Sequence, residues 1–164
     1  MERKVPFKTL HGFSLIEMII VIMVISIVGG SFALITYQPY PIELTATANQ
    51  LASDLRYTQS LSMTKGARYR LQSVSGNQYQ IINETTGTPV MLALGSTTVT
   101  MGGGITFGTA TNIPNSLIAY DGWGAPYVDT ANTALTATAT IILQVGTQTQ
   151  TVTILPVTGR VTVP

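Results

Sequence analysis

The chain has 164 residues, of which 45% are apolar and only 9% are charged, with a net charge of +1 and no cysteine. An ordinary soluble domain has about 25% charged residues, so the composition excludes a charge-rich disordered chain and argues against a basic nucleic-acid-binding protein. The absence of cysteine excludes a disulfide-stabilised scaffold. The length suits one domain with an additional segment.

The apolar residues are concentrated near the N-terminus. Residues 1–12 contain three basic residues and one acid, and residues 18–42 contain no charged residue. As a helix, residues 13–37 would be longer than the ~30 Å hydrocarbon core of a bilayer. They are apolar on all sides, whereas a helix in a soluble core would carry a polar stripe. The segment therefore predicts one transmembrane helix, with the basic N-terminus in the cytoplasm and the rest translocated.

Two processing routes fit this N-terminus. In the first, the segment is a secretory signal that is cleaved after small residues, for which Ser31-Phe32-Ala33 would serve. In the second, only the short basic leader is removed and the apolar helix is kept. Glu17 favours the second route, because a carboxylate in a bilayer carries an energetic cost and a signal peptide has no use for one. Glu17 either extends to the lipid headgroups without a role or pairs with a positive charge in the same layer, which is the functional interpretation.

Residues 12–17, Gly-Phe-Ser-Leu-Ile-Glu, resemble the processing signature of type IV pilins and type II secretion pseudopilins. The resemblance implies that a prepilin peptidase cleaves between Gly12 and Phe13 and then N-methylates Phe13. It also implies that Glu17 pairs with the Phe13 amine of a neighbouring subunit in a helical fibre. Such a pair would offset the cost of placing both charges in lipid.

The second half of the apolar segment contains two glycines. Gly29 and Gly30 either allow helices to pack closely or form a flexible point where the helix bends during extraction from the membrane. The pilin family commonly has a proline at the position of Leu34, from which this chain departs. Pro39 and Pro41 are expected to break the helix instead, and Pro41 suits the first turn of a new helix.

The periodicity of the remaining chain predicts an α+β, pilin-like fold, in which a long N-terminal membrane-spanning helix packs on a C-terminal antiparallel β-sheet domain. Apolar residues at steps of three and four predict an amphipathic helix over 42–64, ending near Lys65 and Gly66. The domains expected are a cleaved leader (1–12), an assembly helix (13–37), an amphipathic helix (38–66) and a β-rich domain (67–164). The predicted strands are 68–74, 78–83, 90–94, 97–101, 105–107, 137–145, 151–155 and 160–163.

The most distinctive motif of the β-rich domain is residues 121–127, Asp-Gly-Trp-Gly-Ala-Pro-Tyr. It resembles a turn of pseudopilins, and Asp121, Trp123, Gly124, Pro126 and Tyr127 are predicted to form a structural turn. The glycines permit the tight backbone, while Trp123 and Tyr127 are expected to anchor the turn by burial. In the major pseudopilin a calcium loop lies near such a turn. The oxygen ligands that calcium needs are too few here, so no metal site is predicted.

No catalytic site or cofactor is predicted. The only histidine, His11, would leave with the leader, and the chain has no cysteine. This removes the usual nucleophile–base pairs and the common zinc sites. Residues 102–104, Gly-Gly-Gly, are not followed by the Gly-Lys-Ser/Thr of a phosphate loop and are expected to form a turn. The chain is therefore predicted not to be an enzyme.

Two further segments resemble the GspH/FimT-like minor pseudopilins and minor pilins: residues 49–71, after the helix break, and residues 154–163, which resemble a final hairpin. Some DNA-uptake members carry a second arginine two residues after the one that matches Arg160, where this chain has Thr162. Binding to DNA depends on several clustered cations, so no nucleic-acid partner is predicted.

These observations predict a minor pseudopilin of the type II secretion pseudopilus. The predicted partners are the prepilin peptidase, other pseudopilins or pilins, and an inner-membrane assembly platform. The chain would first cross the inner membrane once, with its C-terminal domain in the periplasm, and then join the periplasmic pseudopilus. The alternative is a minor pilin of a type IV pilus that serves assembly priming, adhesion or DNA uptake. A third possibility is a secreted or anchored binding domain.

Overall fold

The computed structural model describes residues 14–33, 40–92 and 95–164. The chain divides into two compact units, Met1–Gln38 and Pro39–Pro164. The first unit contains helix α1 (Leu15–Ala33), in which Gly29 and Gly30 are helical residues. Over the described residues, neither helix combines the length and the apolar character that a bilayer span requires. The predicted transmembrane segment 13–37 extends beyond the described residues at both ends, and its bilayer span stays a prediction.

Helix α2 (Tyr40–Lys65) opens the second unit and has Pro41 as its second residue. The first turn of a helix tolerates proline because its N–H groups have no partner within the helix. The other proline of the predicted break, Pro39, lies outside the described residues. Lys65 is the last residue of α2, and Gly66 follows with φ +60°, which agrees with the helix end predicted from the sequence.

One face of α2 is buried, as the spacing of its apolar residues predicts. The stripe comprises Leu44, Ala48, Leu51, Ala52, Leu55, Thr58 and Ser62. The two hydroxyl groups in this stripe are satisfied within the helix. Thr58 donates to the Asp54 carbonyl at 2.7 Å and Ser62 to the Thr58 carbonyl at 3.0 Å. Polar residues can therefore continue the buried face without orphaned donors.

Two antiparallel sheets follow α2. The first has five strands in the order β3-β2-β1-β5-β6, and the second has four in the order β4-β7-β8-β9. The strands are β1 (Tyr69–Ser75), β2 (Gln78–Asn83), β3 (Val99–Thr100), β4 (Thr106–Thr111), β5 (Leu117–Tyr120), β6 (Pro126–Tyr127), β7 (Ala139–Val145), β8 (Gln148–Ile154) and β9 (Val161–Thr162). Helix α2 packs against strands of both sheets. Its buried stripe and the inward residues of the strands form one core.

The predicted β1–β2 and β8–β9 hairpins are confirmed. Tyr69 lies opposite Asn83 in the first, and Ile154 lies opposite Val161 in the second. The predicted strand 90–94 is wrong for residues 90–92. The Val90 N–H donates to the Ile81 carbonyl of β2 at 2.7 Å, next to an isolated bridge between Ile82 and Pro89, but the pairing does not continue as a strand. Residues 93 and 94 lie outside the described residues.

The Gly102–Gly103–Gly104 segment forms a turn, as predicted. Gly103 has φ +61°, and a Cβ atom at this position would overlap the Glu43 carboxylate of α2. The left-handed backbone therefore favours glycine at this position, whereas the exposed Glu43 side chain could move aside.

Candidate functional site

The N-terminal processing site is described in part. Gly12 and Phe13 lie outside the described residues, and Glu17 lies in the first turn of α1. The Glu17 N–H donates to the Ser14 carbonyl at 3.0 Å. A carboxylate at this position also interacts favourably with the positive end of the helix dipole. The pairing of Glu17 with a neighbouring amine stays a prediction.

The side chains of α1 present apolar surface throughout the part that can be described. Large apolar residues from Leu15 to Ile27 are exposed, from 44% at Val21 to 78% at Leu15. An apolar surface of this extent is not stable in water and marks a segment that contacts lipid or other protein. The described part of α1 therefore has a surface suited to contact with lipid or with other protein. The roles predicted for Gly29 and Gly30 remain predictions.

The turn at residues 121–125 is held by one carboxylate. Asp121 Oδ1 accepts hydrogen bonds from the N–H groups of Trp123 and Ala125, both at 2.9 Å. The Gly124 N–H donates to the Asp121 carbonyl at 2.9 Å, with Gly124 at φ +83°. The Tyr127 hydroxyl donates to Asp121 Oδ2 at 3.2 Å, and this hydrogen bond raises the pKa of Tyr127. The predicted structural turn is thus present, with Asp121 as its centre.

The expected burial of Trp123 is wrong, because its side chain is 90% exposed. Tyr127 is half-buried, and Pro126 is among the most deeply buried side chains of the chain. The turn does not need the indole for its stability, because Asp121 satisfies the backbone N–H groups and Pro126 fills the core beneath. Trp123 is consequently presented to solvent on a hydrogen-bonded turn.

A glutamine of α2 joins this turn to the last hairpin. Gln59 Nε2 donates to the carbonyls of Gly124 and Thr158, both at 2.8 Å. The turn that contains Thr158 also carries Val157, which is 80% exposed and has φ +64°. A β-branched residue rarely adopts this conformation. The sequence did not single out Gln59, and its position beside the buried Thr58 was the only available signal.

Two buried tyrosines of the first sheet, Tyr79 in β2 and Tyr120 in β5, have contrasting surroundings. Tyr79 donates to Asp54 Oδ2 at 2.6 Å, and burial together with this hydrogen bond raises the pKa of Tyr79. Tyr120 is fully buried next to Gly159, and its hydroxyl has no hydrogen-bond partner among the described residues. Burial alone raises the pKa of Tyr120.

A second cluster fixes the loop after Tyr127. Arg68 pairs with Glu84 at 2.7 Å, and its guanidinium carbon lies 4.6 Å from the centroid of the Tyr127 ring. Arg68 also donates to the Asn132 side chain and to the Asp129 carbonyl. The ion pair, the contact with the Tyr127 ring and the two hydrogen bonds therefore hold this loop in place.

The Asp129 carboxylate accepts the N–H groups of Ala131 at 2.9 Å and Thr133 at 2.8 Å. Hydrogen bonds from Thr133 are the main cause of its lowered pKa. Asp129 Oδ1 is thus occupied by hydrogen bonds within its own loop. Within the described ranges, no group of three or more acidic, histidine or cysteine side chains could hold a metal ion.

The N-terminal segment of the chain is similar to a known protein family. Residues 9–33 match the family model of the prokaryotic N-terminal methylation motif. No curated protein matches the sequence significantly.

Solved structures share the fold. The type IV minor pilin FimU of Pseudomonas aeruginosa is similar with a TM-score of 0.54 and 16% identity, over 77% of this chain and 91% of that one. The minor pseudopilin EpsH from the Type 2 Secretion System of Vibrio cholerae is similar with a TM-score of 0.53 and 12% identity, over 74% and 96%. At these identities the matches establish the fold. The chain therefore carries the prokaryotic N-terminal methylation motif at residues 9–33, and its fold is similar to that of a minor pilin and a minor pseudopilin.

Proposed function

We propose that the chain is a minor pseudopilin, a structural subunit of the type II secretion pseudopilus. The observation that carries this proposal is the methylation motif at residues 9–33 in front of a domain with a minor pseudopilin fold. The prepilin peptidase cleaves after Gly12 and methylates the new N-terminus at Phe13. The mature chain then waits in the inner membrane with its β-rich domain in the periplasm, and an assembly platform transfers it into the fibre.

In this function Glu17 provides a negative charge for subunit assembly. The amine of Phe13 in a neighbouring subunit neutralises it, so that neither charge stays unpaired in an apolar layer. The exposed apolar side chains of α1 are covered by lipid before assembly and by neighbouring helices afterwards. Gly29 and Gly30 let the helix bend while it leaves the membrane.

The alternative is a minor pilin of a type IV pilus. The similarity to FimU supports it, because the TM-score of 0.54 is close to the 0.53 found for EpsH. DNA uptake is not part of this proposal: Arg68 and Arg70 both contact Glu84, at 2.7 and 3.4 Å, which leaves few free cations for a nucleic acid. Deleting the gene separates the alternatives. A pseudopilin is required for protein secretion, whereas a minor pilin is required for piliation.

The processing step has a direct test. Intact-mass and N-terminal analysis of the membrane-extracted protein should find N-methyl-Phe13 as the first residue. An N-terminus near Leu34 would instead identify a cleaved secretory signal and contradict the proposal. Because the chain has no cysteine, a Ser75→Cys variant tests the topology. A membrane-impermeant maleimide should label it from the periplasmic side of intact inner membranes.

The assembly charge is tested by Glu17→Gln, with Glu43→Gln as the matched control. Glu43 lies in the first turn of α2, so both substitutions remove one carboxylate from a first helical turn. We expect Glu17→Gln to keep N-methyl-Phe13 but to lower the amount of the subunit in the sheared fibre fraction. Glu43→Gln should incorporate normally. Equal incorporation of both variants would contradict the pairing of Glu17 with the amine.

A further inference from the structure

The outer strand β4 differs from the other outer strands of the two sheets. The strands β3, β6 and β9 each have two residues, whereas β4 has six, Thr106–Thr111, none of them charged. Natural sheets usually protect an outer strand by making it short or by placing lysine or proline on it. β4 is neither short nor charged, and its protection is a bulge between Phe107 and Ala110, beyond which Ala110 and Thr111 pair regularly with β7.

The free side of β4 is open over its second half. At the start of the strand, the Phe107 N–H donates to the Gly76 carbonyl of the β1–β2 turn at 2.7 Å. Among the described residues, β7 is the only strand that pairs with β4. Residues 109–111 are exposed. Their outward backbone groups are available to an extended chain, because an antiparallel strand directs alternate N–H and C=O groups to each side.

An apolar pocket adjoins this open edge. It has a volume of about 60 Å³ and lies between the two sheets, lined by Leu71, Phe107, Ala110, Ile113, Ile118 and Ile141, with no charged residue among its lining residues. Ala110 is also exposed, so it lies at the mouth of the pocket. The volume suits one aliphatic side chain, since a single water needs about 10–15 Å³ on this measure.

We infer that β4 and this pocket bind an extended, uncharged segment of another subunit by strand addition, with one branched aliphatic side chain entering the pocket. Backbone hydrogen bonds would provide affinity and the pocket would provide specificity, as in other strand-addition complexes. The strand and the pocket lack charge, which selects a segment without Lys, Arg, Asp or Glu. That the segment belongs to a fibre subunit rests on the proposed function, whereas strand binding itself does not.

The test uses the full-length chain in detergent micelles, with amide and methyl NMR signals as the readout. The probe is an acetylated and amidated heptapeptide of threonine with a central valine, and the control peptide has proline on each side of that valine. We expect the probe alone to shift the amide signals of residues 109–111 and the methyl signals of Ile113 and Ile141. Thr109→Lys should weaken this binding by about tenfold or more.

Thr147→Lys, which places the same charge in the exposed β7–β8 turn, is the control and should leave binding unchanged. The inference is overturned if the probe causes no shifts at millimolar concentration, or if Thr109→Lys and wild type respond equally. Concentration-dependent shifts of β4 without peptide, together with dimers in sedimentation, would replace the stated occupant with a second copy of this chain. N-terminal methylation is measured separately, so failure here would leave the processing evidence intact.

Discussion

Replacing Gly159 by alanine should destabilise the chain far more than the same change at Gly146. Both glycines have a left-handed backbone, with φ +63° and +57°. A Cβ atom at Gly146 meets nothing within 4 Å, whereas one at Gly159 would lie 2.7 Å from Tyr120 Cε1 and 3.0 Å from the Gly124 carbonyl oxygen. Non-bonded carbon atoms normally stay 3.5–4.0 Å apart. The Tyr120 ring is fully buried and has little room to move.

The expected loss of stability has two contributions, one from the backbone conformation and one from overpacking. The left-handed backbone costs a residue with a Cβ atom about 1–2 kcal/mol, and this applies to both variants. Overpacking a dense interior adds about 1–3 kcal/mol, and this applies to Gly159→Ala alone. We therefore expect a loss of about 2–5 kcal/mol for Gly159→Ala and about 1–2 kcal/mol for Gly146→Ala.

The assay is urea unfolding of the full-length chain in detergent, followed by the near-ultraviolet circular dichroism of its aromatic residues. If the two variants unfold at the same urea concentration, the contact between Gly159 and Tyr120 is not tight and the reasoning is refuted. Tyr120→Leu provides a further check. Removing the ring should make Gly159→Ala less destabilising, because residues in contact show non-additive effects.

Three other predictions concern single side chains. Tyr120→Phe should leave stability unchanged or raise it by up to about 1 kcal/mol. Tyr79→Phe should lower stability by about 1–3 kcal/mol, because it removes a hydrogen bond and leaves the buried Asp54 carboxylate with the Gln50 amide as its remaining side-chain donor. Urea unfolding measures both, and equal effects would contradict the assignment. Trp123→Ala should change stability by less than about 0.5 kcal/mol. In the wild type, acrylamide should quench Trp123 fluorescence as strongly in the folded as in the unfolded chain, and an indole that is protected from quenching would contradict its exposure. Because its folded pKa is lowered, the Asp129 carboxylate stabilises the fold at neutral pH and loses that effect as the pH falls through the folded pKa. In an NMR titration Thr133→Ala should move the midpoint of Asp129 upward, because it removes the Thr133 side-chain hydrogen bond and keeps the backbone one; an unchanged midpoint would contradict the side-chain hydrogen bond.

Helix α2 and the sequence-local hairpins could be predicted because their determinants are short-range. The spacing of Leu44, Ala48, Leu51 and Leu55 identifies the buried face of α2 without knowledge of what covers it. The β1–β2 and β8–β9 hairpins likewise follow from alternation around a turn. In each case the side chains that define the pattern are neighbours on one element.

Strand β5 was missed for the opposite reason. Leu117–Tyr120 is buried along its whole length, so it shows no alternation of apolar and polar residues. Four buried residues give too short a pattern to distinguish a strand from a loop. Only the pairing of β5 with β1 and β6 makes it a strand. β1 is distant in sequence, and β6 is close but has only two residues.

The turn at residues 121–127 shows where composition misleads. An aromatic residue between glycines suggests an anchor, because burying an indole is favourable. Asp121, however, satisfies the N–H groups of the turn with a shorter side chain, which leaves Trp123 free. The role of Gln59 was beyond prediction, since its acceptors lie 65 and 99 residues further along the chain.

The exposure of Trp123 and Val157 is informative because both turns are fixed before any partner binds. Gln59 holds both turns through two hydrogen bonds of 2.8 Å, and Val157 keeps a conformation that disfavours its β-branched side chain. A contact residue that is already ordered loses little conformational entropy on association, and tryptophan is among the residues that contribute most to interfaces. For a chain whose proposed work is assembly, this arrangement would lower the cost of adding a subunit to the fibre.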